Sequence, residues 1–588
     1  MNNLLIPRPE YPRPQMVREE WMNLNGEWQF EMDCGMSGKE RGLFESSCLS
    51  GSIIVPFCPE SKLSGVGNKD FMPAVWYKRE FTLPDHWRNQ RILLHFGAVD
   101  YETEVWINGK AVGSHRGGYS SFSYEITDAL GMGINQVTVC AKDDVRSGLQ
   151  PGGKQSATYH SQGCSYTRTT GIWQTVWMEC VPQSYVSSYK VVSDIENGHI
   201  QIDLDMAGKL ENQSVQIEAY FDNKLVGCQT GVIKCSHTRL LVALSQIHLW
   251  EPGSPNLYDL KISLFAGNQC QDVIEGYFGL RSVYVSGKAI MINDKPVFQR
   301  LVLDQGFYPD GIYTAPTDDD LRKDIEMSLA LGFNGARLHE KVFEPRFLYW
   351  ADQLGYLVWE EHANWKLDIT TAEGLEIFLP EWLEIMDRDM NHPSIIGWCP
   401  FNETWDVDGK KQNNEVLRIV YQVTKKLDPT RPVIDASGGI HVVTDIFDVH
   451  DYDQNPVTLS ARYDALNHGG EVYVMFPERE RYGGQPYFVS EYGGIWWNPS
   501  QREEASAWGY GERPRNEAEF LERYIGLTTV LLNNRSICAF CYTQLYDVEQ
   551  EVNGFYAYDR TPKFDSVTML RIKSVNESLA AIEKEWAI

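Results

Sequence analysis

The sequence predicts a multidomain β plus α/β chain: two β-sandwiches followed by a (β/α)8 barrel. Three observations carry this. Residues 1–182 break into short apolar or alternating runs bounded by Gly, Pro, Asn and Asp, the spacing of a sandwich. Residues 183–285 alternate again, over a length that suits an immunoglobulin-like sandwich. From residue 286 the period changes, and amphipathic helical stretches separate eight short apolar runs, as in a barrel. The divisions are therefore 1–182, 183–285 and 286–588.

In the first block, strands are read at 28–30, 53–55 and 91–95, and Asn108-Gly109 between two apolar runs is a strong hairpin signal. In the second, Ile200-Gln-Ile-Asp-Leu-Asp205 and Val215-Gln-Ile-Glu-Ala219 alternate at period two. No Cys-Trp-Cys spacing accompanies them, so only the architecture is implied. In the third, Thr317-Asp-Asp-Asp320 caps a helix running on to Leu331, with negative charge at the positive end of the dipole. Further helices are read at 345–354 and 380–390. The eight barrel strands are read at 297–298, 332–337, 355–359, 395–398, 433–434, 446–449, 487–489 and 537–540. Catalytic groups of such barrels sit at the C-terminal ends of the strands.

Composition narrows the function. The chain of 588 residues has 53 basic and 80 acidic side chains, a net charge of −27. That balance excludes nucleic-acid binding by general electrostatics and disfavours an anionic membrane surface. No apolar run approaches the roughly 20 residues a bilayer requires, and the first residues lack the pattern of a secretory signal. Twelve scattered cysteines suit a reduced, cytoplasmic setting. Cys538-Ala-Phe-Cys541 lies in an apolar stretch with no second pair, so it reads as core strand and not as a zinc site. No metal and no cofactor are expected. Aromatic residues make up 12% of the chain, in keeping with a large β core or with surfaces that stack sugars. Two sandwiches make a homo-oligomer an expectation.

Two strand ends carry chemistry. Glu403 follows the fourth run in Gly397-Trp-Cys-Pro-Phe-Asn-Glu403, and Glu491 follows the seventh in Phe488-Val-Ser-Glu491. An isolated glutamate at a strand end is more often structural; two on opposite strands of one barrel form a pair. Paired carboxyl groups are what glycoside hydrolysis needs, one protonated to serve the leaving oxygen and one ionised to attack or to activate water.

Further motifs make the chain resemble glycoside hydrolase family 2, the β-galactosidases, β-glucuronidases and β-mannosidases. Leu24-Asn-Gly-Glu-Trp28, Val105-Trp-Ile-Asn-Gly109, Gly117-Gly-Tyr119 and Gly171-Ile-Trp-Gln-Thr-Val-Trp177 resemble its N-terminal sugar-binding-like jelly roll. Asn402-Glu403 and Ser490-Glu491-Tyr492-Gly493 resemble its acid/base and nucleophile motifs. The resemblance implies a retaining exo-β-glycosidase with Glu403 as acid/base and Glu491 as nucleophile. It also implies Asn402 at the sugar's 2-hydroxyl and Tyr452 holding the nucleophile ionised. Asp304, Arg337 and His339 lie where the family keeps sugar-hydroxyl contacts. The partner is a glycoside or oligosaccharide.

The resemblance also bears on the sugar. Three domains in about 600 residues suit β-glucuronidases, which grip the substrate carboxylate through an Asn-x-Lys pair. Here Glu551 and Asn553 stand in its place. A β-galacturonide gripped by Arg337, Lys341 or Arg168 is the leading expectation, because arginine pairs bidentately with carboxylates. A β-galactoside or β-glucuronide is the alternative, and a non-catalytic carbohydrate-binding protein the remote one.

Overall fold

A computed structural model describes residues 6–407, 409–499 and 507–584. The first sandwich packs a six-stranded antiparallel sheet against a four-stranded one. Trp28, Phe30, Val55, Tyr77, Leu94 and Val139 fill the space between them. Alternation decides which faces turn in: in Gly26–Met32, Trp28 and Phe30 are buried while Glu27 is exposed. Glu102–Ile107 and Lys110–Arg116 form the expected hairpin. Its corner residues Asn108 and Gly109 have φ of 52° and 78°, the left-handed pair that a tight two-residue hairpin demands.

The second sandwich has a three-stranded and a four-stranded antiparallel sheet. Ile200, Ile202, Leu204, Val215 and Ile217 meet in its core, all at the period-two positions of the sequence.

In the third unit seven strands form one parallel sheet. They are Gln299–Asp304, Gly335–Leu338, Leu357–Glu361, Ile395–Cys399, Phe447–Asp451, Tyr487–Tyr492 and Ile537–Tyr542. The expected fifth strand shrinks to a single bridge between Val433 and Trp398. Pro432 has no N–H to extend the ladder, and the Val433 N–H goes to the Asp445 side chain at 2.9 Å. Counting that bridge, the sheet order is fourth, third, second, first, eighth, seventh, sixth. Most strands run further toward their C-terminal ends than the apolar runs suggest, because Asp304, Glu361 and Glu491 are polar yet buried. The first strand begins at Gln299, just past the expected residues 297–298. Cys538 and Cys541 lie buried in the eighth strand, both as free thiols.

Thr317 caps the helix Asp318–Ala330 through a reciprocal box with Asp320, and Pro345–Leu354 is helical. The next helix, Ala372–Asp389, starts well before the expected residue 380. Thr371 accepts from Gly374 N at its start, and Pro380 lies inside it.

The first sandwich is fastened to the barrel. Arg8 pairs with Glu344 at 2.7 Å, and Tyr119 N donates to Glu381 Oε1 at 2.7 Å. Gly152 N donates to Trp365 O at 2.8 Å and Gly153 N to Ala363 O at 3.2 Å. Gly153 has φ of 50°, and a Cβ there would stand 2.2 Å from Glu340 O. Only glycine allows this approach of a sandwich loop to the loops after the second and third barrel strands.

Candidate active site

Glu491 lies near the end of the seventh strand, its side chain almost wholly buried. Arg337 Nη1 donates to its Oε1 at 2.9 Å, and the Tyr452 hydroxyl donates to its Oε2. His450 Nε2 stands 3.4 Å from Oε1. Burial opposes a charge here, but His450 and Arg337 outweigh it and hold the carboxyl at about 2. Glu491 is therefore an anion at neutral pH. The Tyr452 ring lies flat on Tyr510 with centroids 3.4 Å apart. Burial and the Glu491 charge push the Tyr452 phenol well above its ordinary range, so it keeps its proton and acts as donor.

Arg337 is completely buried and fully engaged. Besides Glu491 it donates to Glu361 Oε2 at 2.7 Å, Ser490 O at 3.0 Å and Asn402 Oδ1 at 2.6 Å. His339 Nδ1 is 3.0 Å from Glu361 Oε1. Burial, with Lys154 and Arg337 nearby, lowers the His339 pKa far below the usual imidazole range, so this ring is neutral.

Glu403 stands just past the fourth strand with φ of 49°, a left-handed conformation that costs a non-glycine residue roughly 1–2 kcal/mol. Its N–H donates to Ser437 O at 2.8 Å. The side chain is 22% exposed, the most open of the cluster, and Oε1 lies 2.8 Å from His450 Nδ1. Burial would depress the His450 pKa, but Glu491 and Glu403 outweigh it and raise it. Glu403, His450 and Glu491 offer ligand atoms within 4.8 Å of one another, close enough to hold a metal ion, although Glu403 and His450 already bond each other. The two carboxylates thus approach as a retaining pair does, at roughly 5–5.5 Å, and fall short of the roughly 6.5–9.5 Å that an inverting pair needs.

Residues 21–176 match the family model described as "Glycosyl hydrolases family 2, sugar binding domain". Residues 184–281 match "Glycosyl hydrolases family 2", and 283–570 its "TIM barrel domain". The chain belongs to glycoside hydrolase family 2. It is 22% identical over 529 residues to a β-glucuronidase of Streptococcus agalactiae, covering 82% of this chain and 84% of that one. A β-galactosidase of Thermoanaerobacter pseudethanolicus is 24% identical over 68% of this chain. A putative β-glucuronidase of Formosa agariphila is 25% identical over 63%. The matched regions span 53% and 46%, about half the length, of those last two relatives. The fold matches that of a solved β-glucuronidase from Ruminococcus gnavus, with a TM-score of 0.78 at 21% identity, covering 97% of this chain and 100% of that one.

On this family 2 scaffold, Asn402 joins the cluster. Its N–H donates to Asn364 Oδ1 at 2.7 Å and its Oδ1 accepts from Arg337. That fixes the amide orientation and leaves Nδ2 buried without a partner. Asp304 has partners of its own, and the carboxylate grips expected of Lys341 and Arg168 need correction. Asp304 accepts from Gly306 N at 2.9 Å and from the Tyr546 hydroxyl, and burial with Asp324 lifts it to about 6. Lys341 donates to Tyr313 O at 2.8 Å and to Gly306 O, and burial lowers it to about 7. Arg168 donates to the carbonyls of Ser156, Thr158 and Lys69 and lies over Phe71, 3.9 Å from the ring centroid. Arg337 spends its donors on Glu361, Glu491, Ser490 and Asn402, while the terminal nitrogens of Arg168 and the Lys341 ammonium go to backbone carbonyls.

Sequence reasoning missed His450, Glu361 and Lys154. His450 was within reach, two residues before Tyr452. Glu361 ends the third strand, two residues beyond the apolar run. Lys154 comes from a sandwich loop and carries no periodic signal.

Proposed function

We propose that the chain is a retaining exo-β-glycosidase that removes a terminal β-linked hexuronic acid, a β-glucuronide ahead of a β-galacturonide. One observation carries the mechanism: Glu491, held ionised at about 2 by His450 and Arg337 against the opposing effect of burial, approaches Glu403 with carboxylate oxygens within 4.8 Å. Glu491 attacks the anomeric carbon while Glu403 gives its proton to the leaving oxygen. The glycosyl ester on Glu491 is then hydrolysed by a water that surrenders a proton to Glu403. Asn402 Nδ2, buried without a partner, supplies a donor to the sugar's 2-hydroxyl.

The β-glucuronidases among the relatives favour glucuronide. Galacturonide loses its first support, because the three cations expected to grip it are engaged elsewhere. A second reading, a neutral β-galactoside, is favoured by Glu551, a buried acid where the family's glucuronidases carry their Asn-x-Lys pair. Hydrolysis of aryl β-glucuronide, β-galacturonide and β-galactoside at one pH decides among these. A fluorinated sugar that traps the glycosyl-enzyme should label Glu491; label on another residue overturns the mechanism.

A further inference from the structure

Four lysines are buried among the described residues: Lys78, Lys154, Lys341 and Lys563. Three spend their ammonium on protein oxygens. Lys78 donates to Leu43 O at 2.9 Å, Lys341 to Tyr313 O at 2.8 Å, and Lys563 to Asp547 Oδ1 at 2.7 Å. Lys154 is different. It is 6% exposed, and its Nζ lies 4.0 Å from the Trp365 ring centroid. Among the described residues its ammonium has no hydrogen bond and no ion pair. A buried ammonium without an oxygen partner is costly, and a bound anion would relieve that cost.

The backbone aims it at the barrel mouth. Gly152 and Gly153 tie its loop to the loop carrying Trp365. Lys154 O accepts from Tyr166 N at 2.7 Å, and the Tyr166 hydroxyl donates to Glu551. Gln305 Nε2 reaches the same hydroxyl at 2.9 Å. Burial works against the charge of Lys154, but Cys164, Glu551, Glu403 and Glu491 outweigh it, so the ammonium stays protonated. The same carboxylates that make the hydrolytic pair therefore lie within its field. Glu551 is the opposing charge here. Burial lifts its pKa, which moves it toward the neutral form that tolerates a second carboxylate.

We propose that Lys154, supplied by the first sandwich, takes the carboxylate of the sugar held between Glu403 and Glu491 and sets the preference for an anionic sugar. This rests on the glycosidase reading above. Lys154→Met removes the charge and keeps most of the volume, and Lys154→Arg keeps the charge. The measurement is kcat/KM on an aryl β-glucuronide and on its neutral counterpart, the aryl β-glucoside with the same aglycone. Lys154→Met should lose roughly 30-fold or more on the glucuronide, mainly through KM, as a buried charge pair does when one partner is removed. It should leave the glucoside rate unchanged or raised. Lys154→Arg should recover part of the glucuronide loss.

An equal loss on both sugars would make Lys154 a positioning residue and overturn the proposal. So would an undiminished glucuronide rate, or a wild type that prefers the glucoside. A selective loss in Lys366→Met instead, the other lysine facing Trp365, would move the assignment there. Thermal unfolding of each variant separates misfolding from loss of selectivity. If Glu491→Gln still turns over substrate, the glycosidase reading fails, and that result is independent of anything seen at Lys154.

Discussion

Arg337 Nη1 and Glu491 Oε1 form a 2.9 Å ion pair in which the guanidinium is wholly buried. The same guanidinium holds Glu361 and Asn402, so one side chain sets the charge of the proposed nucleophile and the orientation of a proposed sugar donor. Removing one partner of a buried pair leaves an uncompensated charge and costs roughly 3–5 kcal/mol. Arg337→Met should therefore lower the melting temperature and suppress kcat on every sugar alike. Loss confined to uronides would instead make Arg337 a carboxylate clamp.

The depressed pKa of Glu491 links stability to acid. Its folded value of about 2 lies below the roughly 4.3 of an unperturbed glutamate. The stabilisation is present above that ordinary value and is lost as pH falls toward the folded one. The shift amounts to about 3 kcal/mol. Glu491→Gln should abolish turnover and flatten the fall in melting temperature between pH 5 and 3. An unchanged slope would assign the acid sensitivity to other carboxylates.

Tyr452 donates to Glu491 Oε2 while its ring is clamped on Tyr510. Tyr452→Phe preserves the stack and deletes the donor. A hydrogen bond to a charged group contributes about 1.5–3 kcal/mol, so kcat should fall about ten- to hundredfold. Unaltered kcat would show that Arg337 and His450 suffice to hold the nucleophile.

His450 works in the opposite sense. Its folded pKa is raised because Glu491 and Glu403 outweigh burial. Its contribution is fully present below about 6.5, the ordinary imidazole value, and is lost as pH rises through the folded value. Melting temperatures from pH 6 to 9 should fall in the wild type and stay flatter in His450→Gln. Parallel curves would remove His450 from the account.

Much of this was legible because polar residues interrupt the barrel strands at their C-terminal ends. Glu403 and Glu491 stand directly after apolar runs, and strand-end reasoning finds them. The cation inventory was misread for a physical reason: sequence shows a charge but not the carbonyls or carboxylates that consume it. Arg168 and Lys341 look available until their bonds to the carbonyls of Thr158 and Tyr313 are seen. Lys154 looks like any loop lysine until the sandwich is docked. The fifth strand, read at Val433 and Ile434, shrinks to one bridge because the Val433 N–H is taken by the Asp445 side chain, a competition the apolar run does not reveal.

Docking itself can be tested at Gly153. Alanine there would place Cβ 2.2 Å from Glu340 O and 3.1 Å from the Ala363 methyl, at φ of 50°. Backbone cannot yield as a flexible side chain does, so the loop carrying Lys154 has to lift from the barrel mouth, at a cost of roughly 1–3 kcal/mol. Gly163 is the control: φ is 54°, and a Cβ there meets nothing within 4 Å. Gly163→Ala therefore isolates the backbone cost, roughly 1–2 kcal/mol, without moving the loop by collision. Gly153→Ala should reproduce the loss of anionic-sugar preference expected of Lys154→Met, and Gly163→Ala should keep that preference. If both variants keep it, the contact at Gly153 stabilises the interface without aiming the ammonium.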